Sequence, residues 1–589
     1  MRRPHHTMNT TSFFQRSELT RILWSFRREF LIVGIFSMVA NLLMLSPTLY
    51  MLQVYDRVLT SQSEVTLVAL SLVTLFLFGV CGFAEWMRSR VLVRAGVRLD
   101  TQLGTQVFNA SFEAQINEPK IAPNRSFNDL IQIRQFLTGN GIFGFFDAPW
   151  APIYMVVLWI LHPWLGIMGI VFALIQAALA WFGHRHTLAP SELAATAQAD
   201  AGNFLQSKLR NSEVIESMGM IRSLQARWAT RHQTALARSG DAQHLTHRIV
   251  AISKFVRYTQ QSLALGAGAL LVIDGQISPG AMIAANVLMT RALAPIDMIV
   301  SSWRQFAGMR QAFARLEDLL AKYPARDPAF KRVAPSGQIA LNNVFAMAPG
   351  REDPILKGVT LAIEPGTVVA VLGPSGSGKS TLARVLVGIW PQLSGDVTLD
   401  GTPLAGWNRI ELGPHLGYLP QDIELFEGSI ADNIARFSDT DSAKVLAASK
   451  SAGLHEMILR FPRGYDTSVG EFGSLLSGGQ RQRIGLARAI YGNPAIVVLD
   501  EPNSNLDDNG EVALNNTILE LKAQGKTVVV ISHRPNVVAV ADRIVLLRDG
   551  QLQADGPRDA VLASLQAAQQ TAKKAAAPPT MPGNAALAT

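Results

Sequence analysis

Apolar and polar residues are patterned differently before and after residue 320. The earlier part contains apolar runs, most of them close to the ~20 residues that a helix needs to cross a bilayer. We predict six membrane spans, at residues 30–52, 65–87, 151–161 (extended back through Pro149 and Trp150), 165–182, from near Phe255 to Ile273, and 281–300. The polar stretches 88–146 and 184–254 are predicted to form long helical extensions outside the bilayer.

The later part alternates short apolar runs with helical patterns. Strand-like runs at residues 368–372, 496–499, 528–531 and 544–547 predict a mostly parallel sheet covered by helices. A charged, Pro-rich stretch precedes this part, and a tail of mainly Ala, Pro and Lys follows it. We therefore divide the chain into an N-terminal segment (1–28), a helical transmembrane domain (29–320), a linker (321–337), an α/β domain (338–566) and a disordered tail (567–589).

Composition supports a membrane protein. Of the 589 residues, 48% are hydrophobic and 17% are charged, against about 25% charged in an average soluble protein. The mean hydropathy is +0.19. These values argue against a fully soluble enzyme and against a disordered or fibrous protein. The single cysteine, Cys81, excludes an intrachain disulfide and a multi-cysteine metal site.

The net charge of +8 is placed as in a membrane protein rather than a nucleic-acid-binding one. Arginines precede the first apolar run without the interleaved aromatics that nucleic-acid-binding faces use. Lys and Arg are also frequent in the two long polar stretches and rare in the short loops between spans. The positive-inside rule therefore places the long stretches and both termini in the cytoplasm, which requires an even number of spans.

A candidate phosphate loop follows the strand-like run at residues 368–372 and opens a helical pattern. It reads Gly373, Pro374, Ser375, Gly376, Ser377, Gly378, Lys379, Ser380 and Thr381. Glycines let backbone N–H groups surround phosphate oxygens at a helix N-terminus. Lys379 is expected to reach the β- and γ-phosphates of ATP, and Ser380 to ligate Mg²⁺. The alternative is a chance glycine-rich turn, which the flanking strand and helix disfavour.

Two further motifs complement the loop. The apolar run at 496–499 ends in Asp500, predicted to hold Mg²⁺ through water, and Glu501, predicted to polarise the attacking water as general base. A solvated strand end is the alternative. A second anion site is predicted at a helix start formed by Ser477, Gly478, Gly479 and Gln480. We interpret it as closing on ATP held by a second copy of the chain rather than as a flexible linker.

The ordered set of phosphate loop, Gln421, the Ser477–Gln480 motif, Asp500–Glu501 and His533 resembles the nucleotide-binding domain of ABC transporters over about residues 339–565. The resemblance implies an α-helical six-span transmembrane domain of the ABC exporter type followed by an α/β P-loop ABC nucleotide-binding domain. It also implies that Gln421 contacts Mg²⁺ or water, that His533 contacts the γ-phosphate and supports Glu501, and that Asp507 lies at a dimer interface.

Narrower motifs resemble type I secretion permease/ATPases of the protease-exporter (PrtD-like) kind. They are MLQVYDRVL (51–59), FDAPWAP (146–152), GYLPQD (417–422), HEMIL (455–459) and EPNSNLD (501–507). This resemblance implies a homodimer in a bacterial inner membrane, with a periplasmic membrane fusion protein and an outer-membrane channel as partners. Its cargo is implied to be unfolded polypeptide with a C-terminal signal, moved from the cytoplasm to the exterior with no role for nucleic acid.

Some features depart from these patterns or leave alternatives open. Ala348 stands where exporters carry an aromatic residue that stacks on adenine, with Phe345 as a possible substitute, and Asn503 and Asn505 replace the Thr and Ala of many relatives. A lipid or drug exporter shares every nucleotide-site residue. An ATP-gated channel or regulator is a further alternative, whereas a soluble DNA-repair or chromosome ATPase does not account for the apolar spans.

Arg291 near the middle of the sixth predicted span is a candidate for the translocation path. An ionisable group at that depth costs at least ~2.5 kcal/mol unless it faces water or a partner. Asp297 lies six residues further on, at about 240° of helical rotation, so the two side chains are not expected to pair. We hypothesise that Arg291 lines the path, and a buried structural ion pair is the alternative.

Overall fold

The structure, a computed structural model, describes residues 18–118, 125–209, 211–324, 333–349, 351, 353–470, 473–532 and 534–576. The chain divides into two compact units: a helical unit, Met1–Gln115 with Ile121–Ala325, and an α/β unit, Ile116–Lys120 with Arg326–Thr589. The division between residues 325 and 326 falls inside the stretch predicted as a linker.

Twelve α-helices form the described part of the helical unit. They are α1 (Glu18–Ser25), α2 (Arg27–Leu43), α3 (Ser46–Gln53), α4 (Leu59–Ser61), α5 (Glu64–Asn117), α6 (Arg125–Thr138), α7 (Gly141–Asp147), α8 (Ala151–Leu161), α9 (Pro163–Leu209), α10 (Ser212–Ser217), α11 (Ile221–Ile273) and α12 (Pro279–Lys322). A π-helical segment, Val54–Val58, joins α3 to α4, and a 3-10 turn, Ala148–Trp150, joins α7 to α8. Pro163 and Pro279 begin their helices, where a missing N–H costs nothing.

Five helical segments of the described ranges are long and apolar enough to cross a membrane: Arg27–Ser61, Glu64–Asn117, Gly141–Leu161, Pro163–Leu209 and Pro279–Lys322. The remaining predicted span is the C-terminal part of α11, where Arg257, Gln260 and Gln261 lower the hydropathy. The predicted six spans fit these helices. The 54 residues of α5 extend about 80 Å, far beyond a ~30 Å bilayer, so the helices continue outside it as expected.

The α/β unit contains two sheets. An antiparallel sheet has the order β2-β1-β4-β5, and a second sheet has the order β10-β9-β3-β8-β7-β6 and is parallel except for β10. The strands are β1 (Ile339–Ala346), β2 (Leu356–Ile363), β3 (Val368–Leu372), β4 (Gln392–Leu399), β5 (Thr402–Pro403), β6 (Leu416–Leu419), β7 (Ile496–Asp500), β8 (Thr527–Ile531), β9 (Arg543–Arg548) and β10 (Gln551–Pro557). The mostly parallel sheet and its four predicted strands are confirmed.

Helices pack around these strands. They are α13 (Lys379–Leu386), α14 (Arg409–Leu412), α15 (Ile430–Ile434), α16 (Ser442–Ser451), α17 (His455–Ile458), α18 (Gly478–Ile490), α19 (Asp508–Ala523), α20 (Pro535–Val540) and α21 (Arg558–Ala576). Every residue of β7 and β8 is buried, so the centre of the parallel sheet is the core of the unit. The prediction of a disordered tail from residue 567 is wrong as far as Ala576, because helix-forming Ala, Gln and Lys extend α21. Residues 577–589 lie outside the described ranges.

Candidate nucleotide-binding site

The phosphate loop connects β3 to α13, and its backbone path requires glycine. Gly373, Gly376 and Gly378 have φ of +154°, +81° and +99°, values that other residues rarely adopt. A Cβ atom at Gly373 would lie 2.1 Å from the carbonyl oxygen of Leu547 on β9. At Gly373 the loop therefore passes too close to a neighbouring strand for any side chain, and Gly378 is the N-cap residue of α13.

Lys379 lies across the phosphate loop. Its side chain is buried, and Nζ donates to the carbonyl oxygens of Gly373 at 3.0 Å and Pro374 at 2.9 Å. Burial lowers the pKa of Lys379, while the carboxylates of Glu501 and Asp500 act in the opposite direction. A phosphate bound in the loop would offer this amine anionic oxygens in place of neutral carbonyls. The geometry fits the predicted role of Lys379.

Asp500 and Ser380 form a donor set suited to a divalent cation. Ser380 Oγ donates to Asp500 Oδ1 at 3.3 Å, at the carboxyl end of the fully buried strand β7. Asp500 Oδ2 is buried and has no hydrogen-bond partner among the described residues. Burial raises the pKa of Asp500, and the adjacent Glu501 carboxylate adds to this, while the Ser380 hydrogen bond opposes it. A hard cation such as Mg²⁺, or its bound water, would satisfy the orphaned oxygen.

Glu501 follows Asp500 in a strained backbone conformation, with φ of +49°. Its N–H donates to the Ile531 carbonyl at 2.9 Å, and Gln421 Nε2 donates to its Oε2 at 3.4 Å. The structure thus brings together the predicted general base and the predicted Gln421. His533 lies outside the described residues. Its predicted contact with the γ-phosphate stays a prediction.

The Ser477–Gln480 motif begins α18 with a capping box. Ser477 Oγ accepts from Gln480 N at 3.3 Å, and Gln480 Oε1 accepts from Ser477 N at 2.8 Å. Both polar side chains of the motif therefore fix the start of the helix. A Cβ atom at Gly479 would lie 2.9 Å from the Asn505 carbonyl oxygen, so this position needs a residue as small as glycine. The dipole of α18 favours negative charge at this end.

Gln482 is a site residue that sequence reasoning missed. It is buried, its Nε2 donates to the Glu501 carbonyl at 3.2 Å, and its Oε1 accepts from Ser504 Oγ and Asn505 Nδ2, each at 3.2 Å. The hydrogen bond from Asn505 to Gln482 is a physical reason for an asparagine at position 505. A signal was present, because Gln482 is a polar residue on the face of α18 that also buries Gly485 and Ala489.

Asp507 caps α19 and pairs with α18. Its Oδ1 accepts from Gly510 N at 3.0 Å and forms an ion pair with Arg483. The Gly510 hydrogen bond is the main reason that the pKa of Asp507 is lowered, with a smaller contribution from Arg483. Within one chain, Asp507 therefore joins the helix that carries Ser477 to the segment that follows Glu501. Its predicted place at a dimer interface stays a prediction.

Comparison with known proteins gives the family. The ABC transporter transmembrane region matches residues 30–295, and the ABC transporter domain matches residues 356–504. The type I secretion system ATP-binding protein PrsD of Rhizobium meliloti (strain 1021) is 40% identical over 550 residues, which cover 93% of this chain and 94% of PrsD. The chain is an ABC transporter of the type I secretion family. It is thus an ATP hydrolase that drives transport.

Other relatives agree. The transporter is 31% identical to the alpha-hemolysin translocation ATP-binding protein HlyB of Escherichia coli over 553 residues, 91% of this chain and 77% of HlyB. A solved bacterial Atm1-family ABC exporter with ATP bound has a TM-score of 0.80 to the transporter, at 22% identity, over 94% of this chain and 99% of that one. This likeness confirms the predicted fold class.

Adenine has no obvious aromatic partner at the predicted position. Ala348 of the transporter follows β1, and its carbonyl accepts from the N–H of Arg351 at 3.1 Å in a turn. Phe345 lies on β1 beside Gly358, where an added Cβ would meet its ring at 3.4 Å. Adenine stacking by Phe345 stays a prediction.

Proposed function

We propose that the transporter is a homodimeric exporter in a bacterial inner membrane, which moves unfolded polypeptide with a C-terminal signal out of the cell. A periplasmic membrane fusion protein and an outer-membrane channel would continue the route. The observation that carries this proposal is the 40% identity with a type I secretion protein along 93% of the chain. The distribution of Lys and Arg supports a cytoplasmic α/β unit and cytoplasmic termini.

At the ATP site, the N–H groups of residues 373–381 and the Lys379 amine would bind the phosphates. Ser380, Gln421 and Asp500 would hold Mg²⁺, which neutralises phosphate charge when bound. Asp500 suits this role because its buried Oδ2 has no partner in the described part of the chain. Glu501 would polarise the attacking water, with Gln421 orienting its carboxylate and His533 supporting it.

The Ser477–Gln480 motif would serve the ATP of the partner subunit, with Asp507 at the interface. To test this, Lys379→Ala and Ser477→Arg chains are purified separately, mixed and allowed to exchange subunits. A mixed dimer contains one complete site if the sites are shared, so ATPase activity should reappear, while each mutant alone stays inactive. Sites complete within one chain would leave the mixture inactive too.

The cargo is tested in liposomes that contain the transporter and its partners. Deleting the last ~60 residues of a candidate cargo, about the reach of a short signal with a flexible linker, should abolish its export. Basal ATPase activity should not change. Undiminished export of the truncated cargo would refute C-terminal recognition. Lipid flipping without any partner protein would instead assign the transporter to the lipid exporters.

A further inference from the structure

A cavity of about 150 Å³ lies among helices of the helical unit. Its polar lining comes from α2, α5, α7, α8 and α12 and comprises Asn41, Glu85, Arg88, Asp147, Tyr154 and Arg291. The volume is far above the ~15 Å³ that one water needs and far below the size of a folded domain. We call it the polar cavity.

One wall of the polar cavity is fixed by hydrogen bonds. Asp147 Oδ1 accepts from Asn41 Nδ2 at 2.7 Å and from Arg88 Nη1 at 3.0 Å. The Tyr154 hydroxyl donates to the Asn41 carbonyl at 2.7 Å, and the Arg88 guanidinium lies 4.3 Å from the centre of the Phe143 ring. These side chains already have hydrogen-bond or ion-pair partners in the protein. We therefore interpret this wall as a fixed scaffold and not as the part of the cavity that binds a ligand.

Three other polar groups of the cavity are not saturated. The exposed Arg291 guanidinium has no hydrogen bond or ion pair with any described residue. The Glu85 side chain is 45% exposed and forms an ion pair with Arg88 at 3.8 Å, too long for a hydrogen bond, so its carboxylate can still accept one. Pro295, inside α12, has no N–H for the carbonyl of Arg291. The Arg291 and Glu85 side chains therefore give the cavity a strong donor and an acceptor.

The exposed side of the polar cavity cannot face lipid tails. Arg291 and Glu85 belong to predicted spans, and ionisable groups there face water or a partner because lipid does not solvate them. The two carboxylates and two guanidinium groups of the cavity cancel in charge. A ligand with net charge of either sign therefore gains little electrostatic attraction overall. A neutral group with one donor and one acceptor can instead donate to Glu85 and accept from Arg291.

We propose that the polar cavity holds the translocating polypeptide by its main chain. The Arg291 guanidinium donates to peptide carbonyls, and the Glu85 carboxylate accepts from peptide N–H groups. An unfolded chain carries both groups on nearly every residue, and neither can stay unpaired in a bilayer. Recognition here is independent of cargo sequence and charge. This inference rests on the proposed function, whose C-terminal signal supplies the selectivity.

The test measures peptide binding by the full-length transporter in lipid nanodiscs. Three fluorescent, unstructured peptides of equal length serve as probes: a neutral Gly/Ser/Asn peptide and versions with regularly spaced Glu or Lys. A photoreactive residue at Met298, which lines the cavity, should capture all three. Arg291→Gln and Glu85→Gln should each weaken all three affinities by about tenfold, the loss of one charge-assisted hydrogen bond.

Arg90→Gln is the matched control, because Arg90 lies on α5 over the Trp86 ring and does not line the cavity. Ala294→Leu adds volume to the lining and should block capture. Thermal unfolding of this variant at the wild-type temperature would show that the loss is not caused by misfolding. If the variants lose affinity for the Glu-containing peptide alone, the cavity is a carboxylate site and the proposal is overturned. Unchanged affinities for all three peptides would also overturn it. Capture of all three peptides without any export would refute the proposed function and leave the cavity site standing.

Discussion

The α/β unit and the helical unit hold their polar side chains in different ways. In the α/β unit, several site side chains bind main-chain atoms, as Lys379 does with Gly373 and Pro374. In the helical unit, charged side chains bind one another across helices, as Arg88 does with Asp147. The first arrangement places groups for chemistry, and the second satisfies charges that lipid cannot solvate.

This contrast makes a general prediction. Substitutions in the site of the α/β unit should change rates more than stability, because the backbone path of the site remains. Substitutions in the ion pairs of the helical unit should change stability more than ATPase rate, because each leaves an unpaired charge. Four substitutions test this, in order of decreasing effect.

Glu501→Gln should have the largest effect and be purely kinetic. The amide cannot take up a proton from water, so ATP turnover should fall by about a thousandfold while ATP still binds and traps a closed dimer. Turnover is measured together with binding of a fluorescent ATP analogue and thermal unfolding, which should not shift. Glu520→Gln, an exposed carboxylate on α19, is the control. Wild-type turnover in Glu501→Gln would remove the general base from this position.

The sequence predicted the parts of this site that are contiguous or belong to motifs. The strand β3 and the loop after it carry a local signal in their glycines, and β7 is an unbroken apolar run that ends in Asp500. The antiparallel sheet was not predicted, because β4 contains Gly395 among polar residues and pairs with residues of β1 that lie 46 to 60 positions away. Its strands are defined by their partners rather than by their own pattern.

In the helical unit the apolar runs predicted the helices, but their side-chain partners could not be predicted. Arg88 and Asp147 are 59 residues apart, and no local pattern connects them. Helix geometry did predict correctly that Arg291 and Asp297 do not pair. Asp297 approaches Arg257 of α11 at 4.0 Å, while Arg291 lines the polar cavity, so the two residues of α12 do not pair.

Asp147→Ala tests the prediction that breaking an ion pair in the helical unit lowers stability more than ATPase rate. It leaves Arg88 without its main partner, and breaking such a pair costs about 3 kcal/mol. Thermal unfolding of the purified transporter should therefore begin at lower temperature, with basal ATPase activity retained below that temperature. Asp274→Ala, exposed after α11, is the control. The double variant Arg88→Met/Asp147→Leu should recover most of the lost stability. If the double variant is as destabilised as Asp147→Ala, the charges themselves are needed.

Gln482→Leu is the strictest test of the rule that site substitutions change rate more than stability. Gln482 is buried, so its loss could affect stability, and it also binds the backbone of Glu501. We expect kcat to fall about tenfold, because the one hydrogen bond that positions the backbone of Glu501 is lost, with KM for ATP unchanged. Gln482→Glu retains the acceptor for Ser504 and Asn505 and loses the donor, so it separates the two contacts. Exposed Gln524→Leu is the control. A stability loss at normal kcat would show that Gln482 serves packing alone.

The smallest effect is expected at the N-terminus of α12. Asp56, in the π-helical segment, accepts from Gly280 N at 2.8 Å and from the Ser278 hydroxyl, so it caps a helix from another part of the unit. Asp56→Ala should cost about 1 kcal/mol, as a lost helix cap does. Gly280→Ala should cost a similar amount, because its Cβ would lie 2.5 Å from Asp56 Oδ1 and displace the carboxylate. If both act through this one contact, the double variant should be less destabilised than the sum of the single ones. Additive shifts in thermal unfolding would show that the two residues act independently.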